Sequence, residues 1–170
     1  MVEDRTESGA DEAITELYAA HYVRLVRLAT LLQGDHAVAE EVVQDAFVAL
    51  HRRWRRLRDP AAAVGYLRTS VVHGCRSIQR RRGVAARHPA DPPVHEPSAE
   101  HHAVLDAATS AVVDALRELP DRQREALVLR YYGGLSESEI ARAMKISNGA
   151  VKSHASRGMA GLRAALAEWS

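Results

Sequence analysis

Along most of the chain, apolar side chains recur at spacings of three and four, which places them on one face of an α-helix. The first run holds Ile14, Leu17, Tyr18, His21, Leu25, Leu28, Leu31 and Leu32. It predicts a helix from Glu12 that closes at Gly34, a residue suited to the left-handed turn after a helix. Residues 1–11 are polar and are expected to be disordered. Asp35 can cap a second helix, from about His36 to Trp54, with Val38, Val42, Val43, Ala46, Phe47 and Leu50 turned inward. Asp59-Pro60 marks a turn, because proline disfavours helical geometry in the residue before it. A third helix, from about Ala62 to Arg82, carries Leu67, Val71, Cys75 and Ile78 as its core stripe.

The pattern then stops. Residues 83–101 hold Pro89, Pro92, Pro93 and Pro97, little apolar material and no period, and read as a flexible linker. Periodicity returns from His102, with Val104, Leu105, Ala108, Val112, Ala115, Leu116 and Leu119. Pro120 breaks that helix, and Asp121 can cap another, to Tyr131, with Ala126, Leu127 and Val128 inside and Arg122, Arg124 and Arg130 outside. Gly133-Gly134 closes it. Ser136 and Glu139 make a capping box for a helix bearing Ile140, Ala141 and Met144. After the break at Lys145-Ile146-Ser147, Ser147 or Asn148 can cap a last helix with the stripe Val151, Ala155, Met159 and Leu162. The expectation is an all-α protein with two small helical domains, residues 12–82 and 102–170.

Composition agrees with helices: aromatic content is only 5%, and Ala, Leu and Val supply most of the apolar area. The net charge of +1 conceals strong segregation. Ten Arg face one acid between His51 and Arg82, four bases and no acid lie between Lys145 and Arg163, and the first twenty residues hold six acids and one Arg. Basic and acidic blocks suit a chain that binds nucleic acid with one surface and protein with another. The single cysteine, Cys75, excludes an internal disulfide and a cysteine-based zinc site built by this chain alone. No signal peptide is evident, and charges break the apolar runs short of the roughly 20 residues of a membrane span. A cytoplasmic protein without membrane insertion is expected.

Three surfaces carry candidate chemistry. The outer face of the second helix shows Glu40, Glu41, Gln44 and Asp45 with no base before Arg52, which suits a basic partner, although a solvated face is the usual reason for such a run. The outer side of the third helix shows Arg68, Thr69, His73, Arg76, Ser77 and Arg80, ending in Arg80-Arg81-Arg82. Cations there complement the helix dipole, but ten Arg exceed that need and fit a track for a phosphate backbone. The last helix offers Asn148, Lys152, Ser153, His154, Ser156 and Arg157. Small, polar and basic side chains on an exposed helix suit base edges and adjacent phosphates. His88, His95, His101 and His102 are scattered in or beside the linker and read as solvated; no metal, cofactor or catalytic residue is expected. No HExxH, His–carboxylate pair or Gly-rich phosphate loop supports an enzyme.

Four blocks in order resemble a bacterial RNA polymerase sigma factor of the extracytoplasmic-function (group IV) class of the sigma-70 family, in its short actinobacterial form. LYAAHYVRLVRLATLLQGD resembles the first helix of region 2 and AEEVVQDAFVALHRRW its polymerase-binding helix. YLRTSVVHGCRSIQRRR resembles the helix that reads and opens the −10 element. LRELPDRQREALVLRYYGGLSESEIARAMKISNGAVKSHASRGMAGLR resembles region 4, which reads −35. The resemblance implies that Glu40, Glu41, Gln44 and Asp45 dock on the β′ clamp helices of core RNA polymerase, with the β flap as a second contact. It implies a −10 surface of Tyr66, Arg68, His73, Arg76, Ser77, Arg80 and Arg81, beside a loop, Leu57 to Val64, that matches the family's pocket for a flipped base. The implied −35 surface is Arg122, Arg124, Ser147, Asn148, Lys152, Ser153, His154, Ser156 and Arg157. Promoter DNA and an anti-sigma factor are the other implied partners.

The chain departs from the family pattern at four positions. His73 stands where Asn is usual, Ser77 where Asp is frequent, Lys145 where the turn usually has Gly, and His154 where many members have Arg. Nothing resembling region 3 lies between Gly83 and His101. The rival reading is a homodimeric helix-turn-helix regulator of duplex DNA. It leaves the acidic face of residues 40–45 and the Arg-rich third helix without a task.

Overall fold

The computed structural model describes residues 3–57, 59–85 and 107–168. Among them there are seven α-helices and no strand, as the apolar period requires. The chain divides into two compact units, residues 1–29 with 37–92, and residues 30–36 with 93–170. The expected linker lies almost wholly outside the described residues, as do its histidines and the expected helix start at His102.

α1 spans Glu3–Gln33, α2 His36–Arg53 and α3 Ala63–Ala85, and the first unit takes α1 as far as residue 29, α2 from residue 37, and α3. The helix therefore begins well before Glu12, and the expectation of disorder through residue 11 is corrected over residues 3–11. Two contacts hold its early part: Ala10 is buried, and Asp11 Oδ1 meets His51 Nε2 of α2 at 2.8 Å. Gly34 closes α1 with φ +74°, its N–H donating to the Thr30 carbonyl at 2.7 Å. Leu25, Leu28, Leu32, Val42, Val43, Ala46, Phe47, Leu50, Leu67, Val71 and Cys75 of the expected stripes are buried, with Ala29 and Val72 added to them, whereas Tyr18 is exposed and Leu31, Val38 and Ile78 are half-buried. Tyr18 and Tyr22 stack at 4.3 Å, and Tyr18 lies 5.1 Å from the Phe47 ring, fastening α1 to α2. α3 crosses α2 closely at Gly74, where a Cβ would stand 2.9 Å from Val42 Cγ1. Between α2 and α3 run two single 3-10 turns, Trp54–Arg56 and Pro60–Ala62. Asp59 caps the second by accepting from the Ala61 N–H at 2.9 Å.

In the second unit α4 spans Ala107–Glu118, α5 Asp121–Leu127, α6 Glu137–Met144 and α7 Asn148–Ala167. α7 packs against α4, α5 and α6. Two residues of its expected stripe are corrected: Val151 and Ala155 are buried, but Gly158 takes the next position while Met159 and Leu162 are only half-buried. A side chain there would crowd its neighbours, since a Cβ on Gly158 would lie 3.0 Å from the Gln123 carbonyl and one on Gly161 2.7 Å from Leu119 Cδ2. On α4, Val113 is buried and Val112 is exposed, the reverse of the expected stripe.

The helix expected from Asp121 to Tyr131 is also altered. α5 stops at Leu127, and Val128–Tyr132 forms a π-helical turn, sealed by Gly133 N–H donating to the Val128 carbonyl at 2.8 Å. Glu125, Ala126, Leu127, Val128 and Leu129 are all buried. Five consecutive buried residues exceed what one face of a regular helix presents, and the wider turn changes the register to admit them.

Candidate polymerase-docking and nucleic-acid surfaces

The acidic face of α2 resolves into two rows. Glu41, Gln44 and Asp45 are exposed, whereas Glu40 is half-buried on the flank facing α1. Burial raises the Tyr22 phenol above its ordinary value, a hydrogen bond with Gln44 lowers it in part, and the neighbouring Tyr18 and the Glu40 charge raise it further. Gln44 thus ties the rim of the acidic face to the aromatic cluster. Val48, 48% exposed, extends this face by one turn. Sequence reasoning left Val48 out; an apolar residue among charged outward positions was the available signal.

Of the residues assigned to −10, all but Arg68 fall on one broad side of α3. Tyr66, His73, Arg76 and Arg80 recur at spacings of seven, three and four and fall along one side; His73 and Arg80 are exposed, Tyr66 and Arg76 half-buried. Ser77, one turn after His73, lies on the same side, and Arg81 stands at its edge; both also line a groove of about 550 Å³ between α2 and α3, together with Glu41 and Asp45. Arg68, half-buried, follows the buried Leu67 on the opposite flank. Single-residue errors of this kind arise because 100° per residue separates neighbours that look alike in the sequence. Arg53, the last residue of α2, is a further candidate: its guanidinium carbon lies 5.8 Å from the centre of the Tyr66 ring.

The helix-turn-helix is built as its local sequence dictates. Ser136 Oγ accepts from the Glu139 N–H while a Glu139 carboxylate oxygen accepts from the Ser136 N–H at 2.7 Å, so both halves of the capping box are present. α6 ends at Lys145, a left-handed residue with φ 54° and ψ 49°. There the Ile146 N–H returns to the Ala141 carbonyl at 3.0 Å. Ile140, Ala141, Ala143 and Met144 are buried. Ser147 then caps α7, its hydroxyl accepting from the Ala150 N–H at 3.1 Å.

On α7, Asn148, Lys152, Ser153, Ser156 and Arg157 are exposed on one outward side. Arg157 Nε donates to the Ser153 carbonyl at 3.3 Å, and Lys152 Nζ lies 3.7 Å from Glu137, which also accepts from Arg130 at 3.2 Å. His154 is half-buried, with Nδ1 enclosed. Arg124, which the resemblance assigns to the −35 surface, is drawn inward. Its side chain is only 11% exposed, bonded to Asp121 at 2.6 Å, and donates to the Arg117 and Leu119 carbonyls at 3.3 and 3.5 Å. Those bonds satisfy carbonyls at the open end of α4. Arg122 is more exposed, yet it donates to the Met144 carbonyl at 3.1 Å, capping α6. Arg142, exposed on α6, is a base that sequence reasoning passed over.

Among the described residues, no group of three or more His, Cys, Asp or Glu could hold a metal ion, and no helix is long and apolar enough to cross a membrane.

Known proteins match both units. Sigma-70 region 2 matches residues 17–84 and Sigma-70, region 4, matches residues 109–162. The ECF RNA polymerase sigma factor SigM of Mycobacterium tuberculosis is 34% identical over 157 residues, covering 91% of this chain and 78% of that protein. RNA polymerase sigma-E factor of Streptomyces coelicolor is 30% identical over 142 residues, covering 82% of this chain and 77% of that one. Among solved structures, CnrH in complex with the cytosolic domain of CnrY superposes with a TM-score of 0.68 at 25% identity, over 98% of this chain and 96% of that one. The sigma factor RpoE bound to the anti-sigma factor NepR from Bartonella quintana shares the fold, with a TM-score of 0.66 at 24% identity, over 89% and 94% of the two chains. With both sigma regions present in order and relatives of this similarity, the chain belongs to the extracytoplasmic-function sigma factors of the sigma-70 family, and is an alternative sigma factor for transcription initiation.

Proposed function

We propose that this sigma factor divides its work among three faces. Glu41, Gln44 and Asp45, with Val48 beside them, dock on basic and apolar side chains of core RNA polymerase. Tyr66, His73, Arg76 and Arg80 receive the −10 strand as it leaves the duplex. Asn148, Lys152, Ser153, Ser156 and Arg157 meet the −35 major groove, with His154 at their edge. The observation that carries the reading is the separation of these chemistries: an acidic, partly apolar face on α2, and acid-free outward faces on α3 and α7. A homodimeric regulator would have no use for the first two.

Residues 12–82 then act as the core-binding and −10 domain and residues 102–170 as the −35 domain, with 83–101 as the connection between them. The protein works in the cytoplasm, has no catalytic centre or cofactor of its own, and leaves phosphodiester chemistry to the polymerase. Relatives solved with the anti-sigma factor NepR and with the CnrY cytosolic domain support a similar inhibitory partner here.

The test is transcription in vitro with core polymerase on genomic promoter fragments. Transcripts absent with core alone and present with the protein are expected. Core-level transcription, with no holoenzyme on gel filtration, would sink the reading.

A further inference from the structure

The α2–α3 connector folds back so that a residue before it meets one after it. Arg53 ends α2, Tyr66 sits in the first turns of α3, and the guanidinium of one stands 5.8 Å from the ring centre of the other. Arg53 is exposed and Tyr66 is half-buried, so the ring keeps an accessible portion under the cation. The connector between them is held by its own bonds, Leu57 N–H to the Trp54 carbonyl at 3.0 Å and the Asp59 cap on Ala61, and does not need this contact to close.

We infer that Arg53 is a positioning residue for −10 opening: it covers the Tyr66 ring in the free protein, and gives up the ring face to an unpaired base while keeping that nucleotide's phosphate. An exposed cation–π contact is weaker than a base stacked on an aromatic ring, so an unpaired base displaces the guanidinium. The displaced cation remains tethered at the end of α2, one side chain away, where a nucleotide on the ring must carry its phosphate. A duplex offers no free base face and cannot make the exchange. The cation thereby disfavours nonspecific occupancy of the ring and favours the melted strand. The inference rests on the reading of α3 as the −10 surface.

The experiment uses holoenzyme reconstituted with core polymerase and fork-junction DNA whose unpaired −10 strand has been selected by the wild-type holoenzyme from a randomised pool. Arg53→Ala should bind this probe about fivefold more weakly, whereas Arg53→Lys, which keeps the charge, should lose less than half of that effect. Core binding and −35 duplex binding should be unchanged. In a Tyr66→Ala background the Arg53→Ala loss should shrink, because the two residues act as a unit. Wild-type affinity in Arg53→Ala, or the same loss with and without the Tyr66 ring, would overturn the inference and leave the α3 reading intact. If the wild-type holoenzyme selects no unpaired strand at all, the α3 reading fails and this inference with it.

Discussion

Lys145 stands at the hinge of the helix-turn-helix in a conformation that costs it free energy. With φ 54° and ψ 49° it holds the left-handed geometry that L residues pay for through crowding of Cβ against the backbone. Replacing it with Gly removes about 1–2 kcal/mol of that strain and restores about 0.5–1 kcal/mol of chain entropy to the unfolded state. The capping bonds to Ala141 and Arg142 come from the backbone N–H and survive the change, and the lost side chain is exposed. The net gain is about 0.5–1 kcal/mol, or roughly 2–6 °C in the midpoint of a unit of this size. Thermal and urea unfolding of the full chain should show it, and hydrogen exchange at the amides of α6 and α7 should place it in the second unit. Lys145→Asn should gain part of the effect, because Asn tolerates this geometry better, and Lys145→Ala should gain none. A Gly variant no more stable than the Ala variant would refute the strain argument.

Other substitutions test the surfaces and the packing. Reversing Glu41 and Asp45 to Lys should weaken core binding at least tenfold by competition gel filtration while α-helix content stays constant; unchanged affinity would remove that face from docking. Lys152→Ala with Arg157→Ala should weaken −35 duplex binding and reduce the slope of log affinity against log salt by about one to two, as expected for one or two lost phosphate contacts. Glu137→Gln releases Lys152 from an acid 3.7 Å away, so −35 affinity should rise about twofold at low salt, and a fall would show that Glu137 orients Lys152 rather than restraining it. Gly158→Ala forces a Cβ to 3.0 Å from the Gln123 carbonyl and should cost about 1–3 kcal/mol in urea unfolding, against little change for Gly149→Ala at the exposed start of α7.

Much of this protein is legible without coordinates, because its helices are specified locally. The capping box of Ser136 and Glu139, the Ser147 cap, the Gly34 closure and the core stripes of α2 and α3 each follow from residues within a turn or two of one another. At Lys145 the sequence showed only a departure from the Gly usual in the family; its left-handed φ came from the structure. Charge segregation, also a property of the sequence, marked the two surfaces proposed to meet nucleic acid and the one proposed to meet protein.

Tertiary structure decided the rest, where a residue's role depends on what another element does. Arg124 reads as an outward base until α4 ends beside it and its carbonyls take up the guanidinium. Gly158 is one more small residue of α7 until α5 arrives so close that a Cβ would press on the Gln123 carbonyl. Ser77 and Arg81 belong to a groove that exists only because Gly74 lets α2 approach α3, and the π turn after Leu127 arises from burying five residues in succession. Arg53 and Tyr66 meet because a capped connector folds back on itself. Periodicity and capping act over a few residues and are written in the sequence. The destination of an arginine, and the tolerance of a backbone for a Cβ, are set by neighbours that only the packed chain supplies.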